Sequence, residues 1–152
     1  QDDTVPFAET SWPCGTMVQS IPEVRKGENY RVVVAAKNVS GSTLFLGEQE
    51  NITVHSDTVN EIGNIEMLPF AVKLTEKTDD NLLTWSTVKY AKHYRLQIAE
   101  DVRFLNTVVN RIIEATSYAP KLEPSRIYFW RVAPINSNGI EGRFSEIWSF
   151  RF

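Results

Sequence analysis

Leu83-Thr-Trp-Ser-Thr-Val-Lys-Tyr-Ala-Lys-His-Tyr-Arg-Leu-Gln-Ile98 carries the fold in its spacing. Toward its end Tyr94, Leu96 and Ile98 fall on one side of the chain while Arg95 and Gln97 fall on the other. Successive side chains of a β-strand point to opposite faces, so this period of two predicts a strand over 93–99 with one buried and one solvated face. His93 opens that strand and is expected to point outward. Upstream, the strand 82–86 puts Leu83 and Trp85 on a single face. Working outward, 72–75, 107–113, 117–119, 127–132 and 146–152 have the same short, turn-bounded character. Seven such runs predict one antiparallel sandwich over 70–152. Its expected core is Trp85, Tyr94, Leu122, Tyr128, Trp130 and Trp148, and fully burying a large side chain contributes roughly 1.5–3 kcal/mol before entropy is counted.

The preceding 1–69 reads as a smaller antiparallel β module. Tyr30, Val32, Val34 and Ala36 line one side of a strand whose other side carries Arg31 and Lys37. Turn residues at 38–42 join it to a strand over 43–46 in a hairpin. Further strands are expected at 51–55 and 64–68, with a fifth if 16–20 pairs. Leu68-Pro69-Phe70 marks the boundary, because proline supplies no ladder donor and commonly lies where a strand system stops. Four or five strands are few for a closed sandwich, so this half is expected to be an open sandwich or an incomplete one.

Hydrophobic residues at 42% and aromatic residues at 11% supply ample core and argue against disorder. The net charge of −3 hides an asymmetry, with 10 acidic against 4 basic side chains in 1–69 and 12 basic against 9 acidic in 70–152. Some attraction between the halves follows. Lys and Arg are scattered rather than clustered, which speaks against a nucleic-acid face. No apolar run approaches the length of a membrane span, and the opening QDDTVPF lacks the basic-then-apolar order of a signal peptide, so a signal would already have been removed if the protein is exported.

The stretch 83–98, continued by Asp101 and Phe104, resembles the second and third strands of the fibronectin type III family in its bacterial secreted and surface variety. Leu122-Glu-Pro-Ser-Arg-Ile-Tyr128 is similar to that family's tyrosine corner, in which a Tyr hydroxyl reaches back to the backbone near the preceding turn. Tyr128-Phe-Trp-Arg-Val-Ala-Pro-Ile-Asn-Ser-Asn-Gly139 resembles its sixth strand and following loop, with Pro134 where a small residue is usual, so a weakened pairing or a bulge is expected there. The resemblance covers 70–152 and implies an immunoglobulin-like sandwich. The first half resembles, less specifically, the small Ig-like or transthyretin-like modules that precede such domains.

Residues able to do chemistry are few. Cys14 is the single cysteine, so no disulfide within the chain, thiolate zinc cluster or CxxC motif can form, and a small apolar filler is its expected role. His55 and His93 are the two histidines, and a Cys14–His55 dyad would need a third group to orient it. Asp79-Asp80-Asn81 and Glu100-Asp101 have the oxygens calcium prefers but not the DxDxDG loop, and read as turn residues. Asn38-Val-Ser40 and Asn51-Ile-Thr53 match the glycosylation sequon, a pattern that arises by chance. Phe144-Ser-Glu-Ile-Trp-Ser149 misses the WSxWS spacing by one residue, and no RGD occurs.

The expected contact surface is therefore the loop 136–143, with Asn136, Asn138, Ile140 and Arg143, since loops on a rigid sandwich are exposed. A platform of Phe7, Trp12, Tyr90 and Phe144 for stacking on sugars is the alternative. The expected function is a non-catalytic, extracellular or cell-envelope module acting as spacer or protein-interaction unit, and not an enzyme. A carbohydrate-binding accessory module of a secreted enzyme is the other reading. Its partner would be a protein or a cell-surface polysaccharide, and no cofactor or metal is implied.

Overall fold

The side chains that alternate over 93–99 meet their partners at the centre of a four-stranded sheet. The computed structural model describes residues 10–13, 21, 24–55, 60–75 and 82–152. Its strands, in chain order, are β1 (Gly27–Lys37), β2 (Thr43–Val54), β3 (Leu68–Pro69), β4 (Leu74–Thr75), β5 (Leu83–Trp85), β6 (Ala91–Ala99), β7 (Thr107–Ile113), β8 (Ser117–Tyr118), β9 (Ile127–Asn136) and β10 (Trp148–Arg151). One sheet runs β10-β9-β6-β7, a second β4-β5-β8, and a third β1-β2-β3. The first two face each other as a sandwich of three strands on four.

Tyr94, Leu96 and Ile98 from β6, Leu83 and Trp85 from β5, and Tyr128, Trp130 and Val132 from β9 fill the space between the sheets, each nearly or wholly buried. Trp85 lies edge-on to Tyr94 at 5.9 Å between ring centres and tilted against Trp130 at 6.2 Å. Trp148 meets Trp130 at 6.3 Å, nearly perpendicular. Such offset and edge contacts are the favoured aromatic geometries. Leu122 and Trp148 pack on the cluster half-buried. The Tyr128 hydroxyl donates to the carbonyl of Glu123 at 3.4 Å, and the Tyr94 hydroxyl accepts from the Val88 N–H at 3.2 Å. With its tyrosine corner formed, the second half is a fibronectin type III-like, immunoglobulin-like sandwich.

Pro134 does not interrupt β9, which runs on to Asn136. Pro134 stands opposite Tyr94 and its carbonyl accepts from the Gly142 N–H at 2.8 Å, on the side away from β6. A residue's N–H and C=O point to the same side of an antiparallel strand, so the donor that proline lacks is not one β6 needs. The expected irregularity lies just beyond, as a register shift opposite Ala91 and His93. His93 is half-buried, with Nε2 at 3.4 Å from Glu114 Oε1.

The first half departs from expectation. The strands anticipated at 43–46 and 51–55 are one continuous β2, paired along its length with β1. Between the Tyr30–Ile52 and Val32–Gln49 pairs, β2 holds one residue more than β1. Asn51 takes up this bulge at φ 57°, a left-handed conformation that Asn tolerates. Gly47 stays within the strand because a Cβ there would stand 2.7 Å from the Glu66 carbonyl oxygen and from Ile65 Cγ2, where the chain crosses. The strand anticipated at 64–68 shortens to β3, in which Pro69 itself pairs with Phe45. The anticipated strand 16–20 lies outside the described residues. Arg31–Ala36 are all half-buried, whereas Leu46 is fully buried.

Candidate functional site

Loop 136–143 follows β9, and its shape comes from one side chain. Asn136 Oδ1 accepts the N–H of Asn138 at 3.0 Å and of Ile140 at 2.8 Å, while the Asn136 N–H donates to the Ile140 carbonyl at 3.0 Å. Gly139, at φ 78°, closes the turn in a conformation that glycine adopts without strain. An Asn at a turn can replace backbone partners in this way. Asn136 is only 1% exposed, and its Nδ2 donates to Glu48 Oε1 on β2 at 3.0 Å.

The outer rim of this loop is held from β1. Arg31 Nη1 donates to Ser137 Oγ at 2.8 Å and Nη2 to Asn138 Oδ1 at 2.6 Å. Backbone pairing continues the contact: the Arg143 N–H donates to the Thr43 carbonyl at 3.0 Å, and the Phe70 N–H to the Leu44 carbonyl at 2.9 Å. Isolated bridges join Thr43 with Gly142, Ala71 with Arg143, and Ile135 with Glu141. Residues 141–143 thus form a seam between β2 on one side and β9 on the other. Thr43 in this seam is 2% exposed.

Of the four expected contact residues, Asn136 and Asn138 hold the hairpin of the same chain. Ile140 is half-buried, and Arg143 is exposed beside a shallow depression of about 260 Å³ that Ser40, Gly41, Gly142 and Phe144 also line. Sequence reasoning missed Arg31, Glu48 and Thr43, because their role exists only once distant segments are paired.

The remaining candidates are placed apart. On the outer face of the large sheet the Arg131 guanidinium lies between the rings of Phe104 and Phe144, 4.0 and 4.1 Å from their centres. Its Nε donates to Gln97 Oε1 at 2.9 Å, and burial lowers its proton affinity below that of an ordinary arginine. Phe144, expected in a sugar platform, thus serves as a cation–π partner. Tyr90, at φ 70°, has the Lys89 ammonium over its ring at 5.2 Å. Trp12 is 38% exposed, and Phe7 lies outside the described residues.

The Glu100–Asp101 pair is committed to the turn after β6. Asp101 Oδ1 accepts from the N–H groups of Arg103 and Leu105, and Oδ2 from that of Asn106 at 2.7 Å. The Asn106 N–H is the main cause that holds its carboxyl below the usual range, with desolvation opposing. Glu100 bonds Asn106 Nδ2 and Arg126 Nη1. His55 holds Asn60 through its backbone, while Cys14 and Asp79-Asp80-Asn81 lie outside the described residues. Among the described residues no cluster of three His, Cys, Asp or Glu is placed to hold a metal ion.

No protein-family model matches the chain, and no curated protein matches it. Among solved structures it is similar to a Fn3-like protein from Clostridium thermocellum, at 19% identity and a TM-score of 0.41, the match covering 53% of this chain and 85% of that one.

Proposed function

We propose that the protein is a non-catalytic module of the cell surface or envelope, which holds its two ends in fixed relation and offers its outer surfaces to a protein partner. The seam carries this reading. A spacer must resist bending at the join between its parts, and here the join is made by backbone hydrogen bonds at Thr43, Leu44, Phe70 and Arg143, reinforced by buried Asn136 on Glu48. Inter-domain contacts of ordinary size and polarity leave relative motion as the default, whereas a paired backbone does not. The Arg31 bonds to Ser137 and Asn138 close the outer rim. Placement outside the cytoplasm rests on the sequence resemblance to bacterial secreted and surface members of the fibronectin type III family.

The test is a distance distribution between spin labels at Val39 and Ser149, both exposed, in a Cys14→Ser background. A single narrow distribution supports the spacer reading. A broad or bimodal one rejects it.

A further inference from the structure

The free edge of the large sheet can be assigned group by group. The Val132 N–H donates to Ser145 Oγ at 3.1 Å, and the Val132 carbonyl accepts from the Ser145 N–H at 2.8 Å. The main chain of Val132 therefore faces away from β6, and Leu96, opposite it, is in a non-hydrogen-bonded pair with β9. Leu96 must then turn its N–H and C=O toward β7, where Arg111 stands opposite. By alternation Val109, Arg111 and Ile113 face β6, whereas Asn110 and Ile112 direct their N–H and C=O to the far side; Val108 is the extra residue at the register shift opposite Ile98 and Ala99, where the alternation breaks. No described strand pairs there.

Edge strands are usually blunted by proline, inward charge, a bulge or brevity. β7 has seven residues, no proline, and a register shift only at its Thr107 end. Arg111 is its one charge, opposite Leu96. On the outer face Val108 and Ile112 are 43% and 53% exposed. The edge opens on a cleft of about 600 Å³, lined by Val108, Val109, Asn110 and Arg111 of β7 together with Tyr118, Ala119 and Lys121. The charged groups of that lining are both cations.

We propose that β7 accepts, by strand addition, an extended segment of a partner protein in which acidic and apolar residues alternate. This deepens the reading as a protein-interaction unit and rests on it. A strand laid along this edge satisfies the free main-chain groups of Asn110 and Ile112 and places its side chains alternately on the two faces. Those on the inner side enter the cleft beside Arg111 and Lys121, where carboxylates are favoured. Those on the outer side lie against Val108 and Ile112, where apolar groups are favoured. A second copy of the chain fits less well, since β7 carries Arg111 and no acidic residue, so edge-to-edge pairing would crowd the cations of both clefts.

The probe is a short end-blocked peptide of alternating Glu and Val, labelled for fluorescence anisotropy, with a Lys-for-Glu peptide as comparison. The Glu peptide binds and the Lys peptide does not. Asn110→Pro removes an N–H that faces only the free edge, leaves the β6 ladder intact and weakens binding about tenfold or more, as does Lys121→Glu. Amide exchange on the unmodified protein gives a second measure, independent of how the variants fold. The peptide slows exchange at Asn110 and Ile112 and leaves Val109 and Arg111 unchanged. No binding, equal binding of the two peptides, or unchanged exchange at those two amides overturns the proposal. So does a concentration-dependent dimer abolished by Asn110→Pro, which would assign the edge to a second copy. A failed peptide beside a narrow label-to-label distance would reject the strand addition and leave the spacer reading standing.

Discussion

Asp101 shows how a side chain readable as a ligand is instead spent on a turn. Three backbone N–H groups converge on its carboxylate, and Phe104 at φ 58° lies inside the loop they close. Because the folded carboxyl titrates below its unfolded value, the stability it adds is complete above the unfolded pKa and lost as pH falls through the lowered folded one. Asp101→Asn is accordingly expected to lower the urea midpoint at neutral pH, with the gap to the parent narrowing as pH falls below the ordinary carboxylate range. Tyr128 makes a different residue-scale contribution. Its hydroxyl bond to Glu123 is long at 3.4 Å, so Tyr128→Phe should cost near the low end of about 0.5–1.5 kcal/mol in denaturant unfolding. Asn136 is more consequential. Asn136→Ala strips a buried side chain that serves two loop amides and Glu48, and should cost about 1–3 kcal/mol by the same measurement.

At the scale of elements, the sandwich was legible because its central strand alternates cleanly and its short runs are bounded by turn residues. Trp85, Tyr94 and Trp130 meet as their spacing implied. The first half was less legible for a physical reason. Gly47 reads as a break, yet the strand needs a glycine there so that Ile65 and Glu66 can cross it. Pro69 reads as a stop, yet it pairs with Phe45. The seam left no local trace at all, since it links residues near 43, 70 and 142, and Asn136 looks like any exposed loop residue until Glu48 arrives. Gly142 offers the test at this scale. A Cβ on it would collide with the Phe70 carbonyl oxygen and stand 2.8 Å from Pro134 Cγ, and a backbone oxygen held in the seam cannot move aside. Gly142→Ala should therefore lower stability by about 1–3 kcal/mol, seen as a reduced thermal midpoint.

Across the whole molecule, backbone and polar groups of the described residues join hairpin and sandwich. The ion pairs Arg31–Glu50, Arg95–Glu141 and Glu100–Arg126 each lie within one half. Among the described residues the join is crossed by the charge-assisted grip of Arg31 on neutral side chains, by the bond of Asn136 to Glu48, and by the pairing at 43–44, 70–71 and 142–143. A join of this kind opens only when its strands separate, which ties its stability to that of the core. Native-state amide hydrogen exchange reads this directly, because each amide reports the free energy of the opening that frees it. The expected result is that the amides of Phe70 and Arg143 exchange in the same slow class as those of β6. Exchange of those two amides orders of magnitude faster, with β6 still protected, would contradict a rigid join and the spacer role built on it.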